Sequence, residues 1–159
     1  MPKVVVDFWE PLDVEGERRD LGPLLQQAAR LDVQHRMKDR GAEYTDYLIE
    51  ITEHGEMIEG SAARIRKDNL PDKANLQTGA VTPLPLLAIE GVAERSRFLY
   101  DANLAVFLVQ RNGFLRASGV LDLICEAIGM RLDVIDLQPK LRKDAWERFN
   151  RMTRMDLRT

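Results

Sequence analysis

One cysteine, two histidines and no long apolar run leave few chemistries open to this chain of 159 residues. Cys125, alone, makes no internal disulfide, which fits a reducing compartment. Imidazole and thiolate ligands are too scarce for a structural zinc, so no metal site is expected. The longest apolar stretches, such as "NLAVFLV", fall far short of the roughly 18 to 20 residues that cross a bilayer. The opening "MPKVVVDFWEP" carries acids where a signal peptide needs an apolar stretch. A cytoplasmic address with no membrane contact is the expectation.

Nucleotide and hydrolase signatures are missing too. The chain holds no glycine loop followed by Lys-Ser/Thr, no Gly-x-Gly-x-x-Gly and no Gly-x-Ser-x-Gly elbow, so no cofactor is expected. A metal-dependent nuclease of the Asp…Asp/Glu-x-Lys type sets a carboxylate two residues before a lysine. None of the six lysines meets this condition, and the nearest approach, "QPK", offers Gln138 instead.

What is present is ordinary globular material, 45% hydrophobic and 31% charged, which predicts one folded domain over residues 1–159. Charge is segregated within it. Residues 1–59 carry 7 Lys and Arg against 14 Asp and Glu, whereas residues 60–159 carry 16 against 12. Such a split suits either a polyanion on the basic part or mutual attraction between the two parts.

Periodicity organises the chain further. "KVVVDFWEP" reads as a first strand, and Leu21, Leu24, Leu25, Ala28, Leu31 and His35 recur at helical spacing up to a stop at Gly41. "EYTDYLIEIT" and "MIEGSAARIRK" form a hairpin around the "EHGEM" turn, with Tyr47, Ile49 and Ile51 alternating against Leu48 and Glu50. Residues from Asp68 to Pro85 read as a long loop, functional, partly structured or disordered. "GVAERSRFLY" and "NLAVFLVQR" make a second antiparallel pair around Asp101 to Asn103, its second member apolar on both faces and therefore central. A helix follows with Val120, Leu121, Ile124, Cys125 and Ile128 inward, Ser118 as cap and Gly129 as stop. "MRLDVIDLQP" is a last strand, and a basic amphipathic helix is expected over about residues 140–155. No internal repeat is visible. The order predicts an α+β fold, a largely antiparallel sheet of five to six strands with helices packed on one face.

Candidate chemistry rests on few residues. His35 falls on the apolar side of the first predicted helix, where a packed histidine is the expectation. His54 lies in a turn between Glu53 and Glu56, as a solvated residue or, in the sharper reading, a general base. Cys125 reads as core. The basic residues are the main binding candidates. Arg64 and Arg66 alternate onto one strand face and Lys67 follows them; Arg95 and Arg97 project together from the second hairpin. If the hairpins are neighbours, four guanidiniums share a face, with Arg111 and Arg116 at its end, a set suited to phosphate or carboxylate. The alternative is a solvated face whose arginines pair with Glu59, Glu90 and Glu94.

The strings "RIRKDNLPDKANLQTG", "ERSRFLYDANLAVFLVQRNGFLRASGVLDLI" and "PKLRKDAWERFNRM" resemble a pattern in uncharacterised small bacterial and phage proteins: Arg before a Leu-Pro, a Thr-Gly and an aromatic strand. The likeness covers about two thirds of the chain. It implies a phage or mobile-element protein acting in host–phage conflict, and it transfers no catalytic residue. Similar sequences continue into another strand where this one stops at "MDLRT", which implies a module completed by a partner. The sequence thus reads as a small binding module. It would contact a protein or protein–nucleic acid complex through its arginine-rich edge and long loop, which also suit a homo-oligomer. Two other readings stay open: a metal-independent enzyme acting on nucleic acid through His54, and a nucleic-acid binder without chemistry.

Overall fold

Alternation of apolar residues drives most of this chain into one antiparallel sheet. The structure, a computed structural model, describes residues 5–68, 70–87, 89–111, 115–131 and 134–139. The basic helix expected over 140–155 lies outside the described residues. The front run forms strand β1 (Val6–Leu12), followed by helix α1 (Gly22–Ala29). Strands β2 (Met37–Asp39), β3 (Tyr44–His54) and β4 (Met57–Arg66) come next, then the two short strands β5 (Lys73–Ala74) and β6 (Val81–Thr82). The chain continues through β7 (Val92–Asp101), β8 (Val106–Gln110), helix α2 (Ala117–Ala127) and β9 (Asp136–Pro139).

Seven strands build the main sheet in the order β2-β3-β4-β7-β8-β1-β9, with every pairing antiparallel. The expected α+β class holds, with one strand more than the five to six predicted. That additional strand is β2, and it replaces the end of the predicted first helix. Helix α1 stops at Ala29 because the Asp32 carboxylate accepts the His35 backbone N–H at 3.0 Å and its ring nitrogen lies 2.8 Å away. Local bonds of this kind compete with helical ones. His35 is therefore exposed on a turn, and not a packed core residue. Gly41, read as a helix stop, sits in the turn from β2 to β3 with its N–H on the Asp39 carboxylate.

The hairpin β3–β4 forms as expected, but its phase is corrected. Leu48 pairs with Ala62 and Glu50 with Ser61, so one residue is extra at Ile49. A bulge of this kind reverses which residues face inward. Asp46 and Leu48 before it, and Ile51 after it, share the helix-covered face.

That face carries the core. Leu48, Ala62, Phe98, Tyr100, Phe107 and Val109 meet Leu21, Leu25 and Ala28 of α1 and Val120, Leu123, Ile124 and Cys125 of α2. Burying each large side chain there contributes about 1.5–3 kcal/mol. Cys125 is core, as read, and burial raises its thiol to about 11. β8 lies between β7 and β1 and buries Val106 to Val109 on both faces, as its composition predicts. Helix α1 is held at its start by Asp20, whose carboxylate accepts the Gly22 N–H at 2.8 Å and the buried Tyr100 hydroxyl at 2.9 Å.

Helix α2 has Arg116 at its N-cap position in place of the expected Ser118, and no side-chain cap bond forms there. Its end follows the sequence. Gly129 adopts φ +73°, its N–H bonds Glu126 O, and the Met130 N–H bonds Cys125 O at 2.8 Å. This is the left-handed termination for which glycine carries no Cβ penalty.

Candidate functional site

The connection from β4 to β7, read as a loop that is functional, partly structured or disordered, is partly structured: an arm with a small sheet of its own. At its root Arg66 pairs with Val92, continuing the main ladder. Toward its tip β5 and β6 form a separate two-stranded sheet, with Lys73 opposite Thr82 and Ala74 opposite Val81. Asn75 closes the turn: its side-chain oxygen accepts the Gln77 N–H at 2.9 Å and the Thr78 N–H at 3.1 Å. Asparagine does this readily in turns. Residues 71 to 83 are all exposed. Leu76 is 98% exposed, Ile89 93%, Leu87 66% and Val81 62%, half of the large hydrophobic residues exposed among the described ones.

The arm grows from an ion network. Asp46 on β3, 3% exposed, accepts Arg64 Nε at 2.9 Å and Nη2 at 3.2 Å, and Arg40 Nε at 3.2 Å. Arg40 then reaches both carboxylate oxygens of Glu126 on α2. The Arg64 guanidinium also lies 4.0 Å above the Tyr44 ring centroid, a favourable cation–π placement. Beside them Arg66 meets Glu94 at 3.5 Å and Lys67 meets Asp39 at 2.8 Å. The Lys67 backbone N–H bonds Glu43 O at 2.8 Å. The Glu126 and Asp46 carboxylates hold Arg40 above its ordinary pKa, and Asp46 does the same for Arg64. Lys67, with the Gly41 N–H, lowers Asp39.

These positions decide the fate of the basic candidates. The hairpins are neighbours, yet the register sets Arg64 opposite Glu94 and Ala63 opposite Arg95. Directly opposed residues share a face. Arg64 and Arg66 thus lie on the helix-covered face, Arg95 and Arg97 on the other, and no four-guanidinium face forms. Arg64, Arg66 and Lys67 are held by carboxylates at the arm root. Arg111, expected near the end of that patch, bonds Asp7 across β8 and β1. Arg116 is exposed at the start of α2. Arg95 and Arg97 are exposed on β7.

His54 ends β3 opposite Met57, and its Nε2 lies 3.0 Å from Glu59. Tyr44 and Arg66 pair at the far end of the same hairpin. Ten strand steps, roughly 33 Å, separate the two ends, so His54 lies far from Arg64 and Arg66. Among the described residues no group of three or more His, Cys, Asp or Glu side chains is placed to hold a metal ion. No described helix is long and apolar enough to cross a membrane.

Asp46, Arg40 and Glu126 escaped the sequence reading because their partners lie 18 and 86 positions apart. One signal was present: an acid two residues before Leu48, on the strand face that proves to be inward. Compared with protein-family models, curated proteins and solved structures, the chain matches none.

Asp122, one turn before Glu126 on α2, gives the network a pH signature. Burial raises its carboxyl above the ordinary 3.8; the Glu126 charge adds to this and Arg40 opposes it. A raised carboxyl favours the folded state fully below the unfolded value, and that contribution is lost as pH rises through the folded value. Asp122→Asn should therefore have a higher thermal midpoint than the native chain at neutral pH, the gap closing as pH falls toward 3.8. A gap constant across this range would assign the difference to packing instead of charge.

Proposed function

We propose that this chain is a protein-binding module whose contact element is the arm between β4 and β7. The observation that carries the reading is the concentration of exposed Leu76, Val81, Leu87 and Ile89 in this one connection. Folded chains cover most such residues, and contiguous exposed apolar surface marks interaction sites. Nucleic acid is the weaker partner: Arg64, Arg66, Lys67 and Arg111 already face carboxylates, and phosphate binding draws on unneutralised cations. The setting we propose is the one implied by the resemblance, a phage or mobile-element protein meeting a protein partner in the bacterial cytoplasm.

The test is affinity capture from infected and uninfected bacterial lysate, with and without nuclease, using the native chain and a Leu76→Asp/Ile89→Asp variant shown to be folded by its urea midpoint. A defined protein that survives nuclease and is lost with the variant is the expected result. Recovery of nucleic acid alone, or an unchanged partner set in the variant, would overturn the reading.

A further inference from the structure

The small sheet of the arm is the least supported element of the fold. β5 and β6 contribute two residues each, and among the described residues no third strand joins them. A lone two-stranded hairpin is marginal in water, and a third strand is what makes such a sheet stable. The register shows which of its backbone groups are already used. The Asn75 N–H bonds Ala80 O at 2.8 Å. Antiparallel pairs alternate between bonded and non-bonded, so Lys73 with Thr82 is the next bonded pair, and Ala74 opposite Val81 is the non-bonded pair between them. The N–H and C=O of Ala74 and of Val81 therefore point away from each other, one set along each outer edge of the hairpin. Both residues are exposed.

The two edges differ in chemistry. β6 runs into Pro83 and Pro85, which have no N–H to donate. On the β5 side Asp72 stands two positions before Ala74, in the same phase of the alternation. Residues 68–90 carry Asp68, Asp72 and Glu90 against a single lysine, Lys73. The Glu90 carboxylate accepts the Leu87 N–H at 2.9 Å, whereas Asp68 and Asp72 both lie on the approach to β5. The exposed Leu76 follows β5 in the turn, and Val81 stands across from Ala74.

We infer that the arm takes its protein partner by strand addition: an extended, basic segment of the partner pairs with the outer edge of β5. The Ala74 N–H and C=O supply main-chain bonds, and alternate side chains set the specificity. A lysine or arginine of the partner meets Asp72, and its apolar residues lie against Ala74, Val81 and Leu76, the kinds of cross-strand pair that stabilise antiparallel sheets. This inference rests on the reading of the arm as the contact element and names the chemistry of what it contacts.

Fluorescence anisotropy with the full chain and a labelled decapeptide of alternating valine and lysine tests it, each variant being checked for folding by its urea midpoint. The native chain should bind the peptide saturably. Methylating the peptide's backbone nitrogens, which removes its donors and keeps its charge, should weaken binding by roughly tenfold or more, about 1.4 kcal/mol. Ala74→Pro, which deletes the outward N–H of β5 and none of its bonds to β6, should do the same, and Asp72→Lys should weaken binding through like charge. Absence of binding, or binding indifferent to methylation, would overturn the inference. Sensitivity to methylation without sensitivity to Ala74→Pro would put the peptide on another edge and overturn it equally. If the peptide fails these criteria while the lysate partner is still lost with Leu76→Asp/Ile89→Asp, only strand addition falls. If neither peptide nor lysate partner responds to the arm substitutions, the arm is not the contact element and both readings fall.

Discussion

Asp46→Ala should lower the unfolding free energy by about 3 kcal/mol, the range seen when one member of a buried ion pair is removed. Asp46 is 3% exposed and holds two arginines whose side chains are themselves only 26% and 29% exposed. Without it Arg64 keeps the Tyr44 ring and no described carboxylate in that place, while Arg40 retains Glu126. The cost is that of a desolvated guanidinium left uncompensated, more than the worth of one hydrogen bond. A urea midpoint that falls at unchanged slope would measure it. Asp46→Asn, which keeps the shape and one acceptor oxygen, should lose less. The same substitution should speed hydrogen exchange at the Lys67 amide, whose bond to Glu43 O closes the arm root. A loss below about 1 kcal/mol would class the network with solvent-screened surface pairs.

Gly60→Ala should cost a similar amount for a steric reason. A Cβ at this position would lie 2.3 Å from Phe98 Cζ and 2.7 Å from Glu50 O. Neither neighbour has room to give. Phe98 is 3% exposed and tilted against Phe107 with ring centroids 5.7 Å apart, and Glu50 O belongs to the backbone at the β3 bulge. Overpacking of this kind costs typically 1–3 kcal/mol, and a clash against both ring and backbone belongs near the top, about 3 kcal/mol. The sign itself is diagnostic. Replacing glycine by alanine inside a strand without a clash gains roughly 0.5–1 kcal/mol from backbone entropy. Chemical denaturation of Gly60→Ala and of Gly60→Ala/Phe98→Leu separates the two effects: the second substitution should recover part of the loss if the ring is the obstacle. A stabilised Gly60→Ala would refute the close approach.

Both sites show where sequence reasoning reaches and where it stops. Gly60 falls within a run correctly read as a strand, yet nothing local says that a phenylalanine 38 positions later comes to rest over it. The two hairpins were legible because their turns and alternation are local. The phase of the first was not, because a single bulged residue exchanges its faces. The front helix was drawn too long because Leu31 and His35 keep the helical period after Asp32 has ended it with its own side chain.

The sequence by itself determined the α+β class, the antiparallel hairpins, the central place of β8, the glycine stop of α2 and the buried cysteine, all consequences of short-range periodicity and turn chemistry. Tertiary structure alone decided which carboxylates Arg40, Arg64, Arg66 and Arg111 meet. A cation's neighbours are set by strand register and by contacts such as Arg40 with Glu126, 86 residues apart, which no local pattern encodes. It also brought together the two ends of a proline-rich connection, because the ladder at its root, Arg66 opposite Val92, forms only once β4 and β7 are side by side.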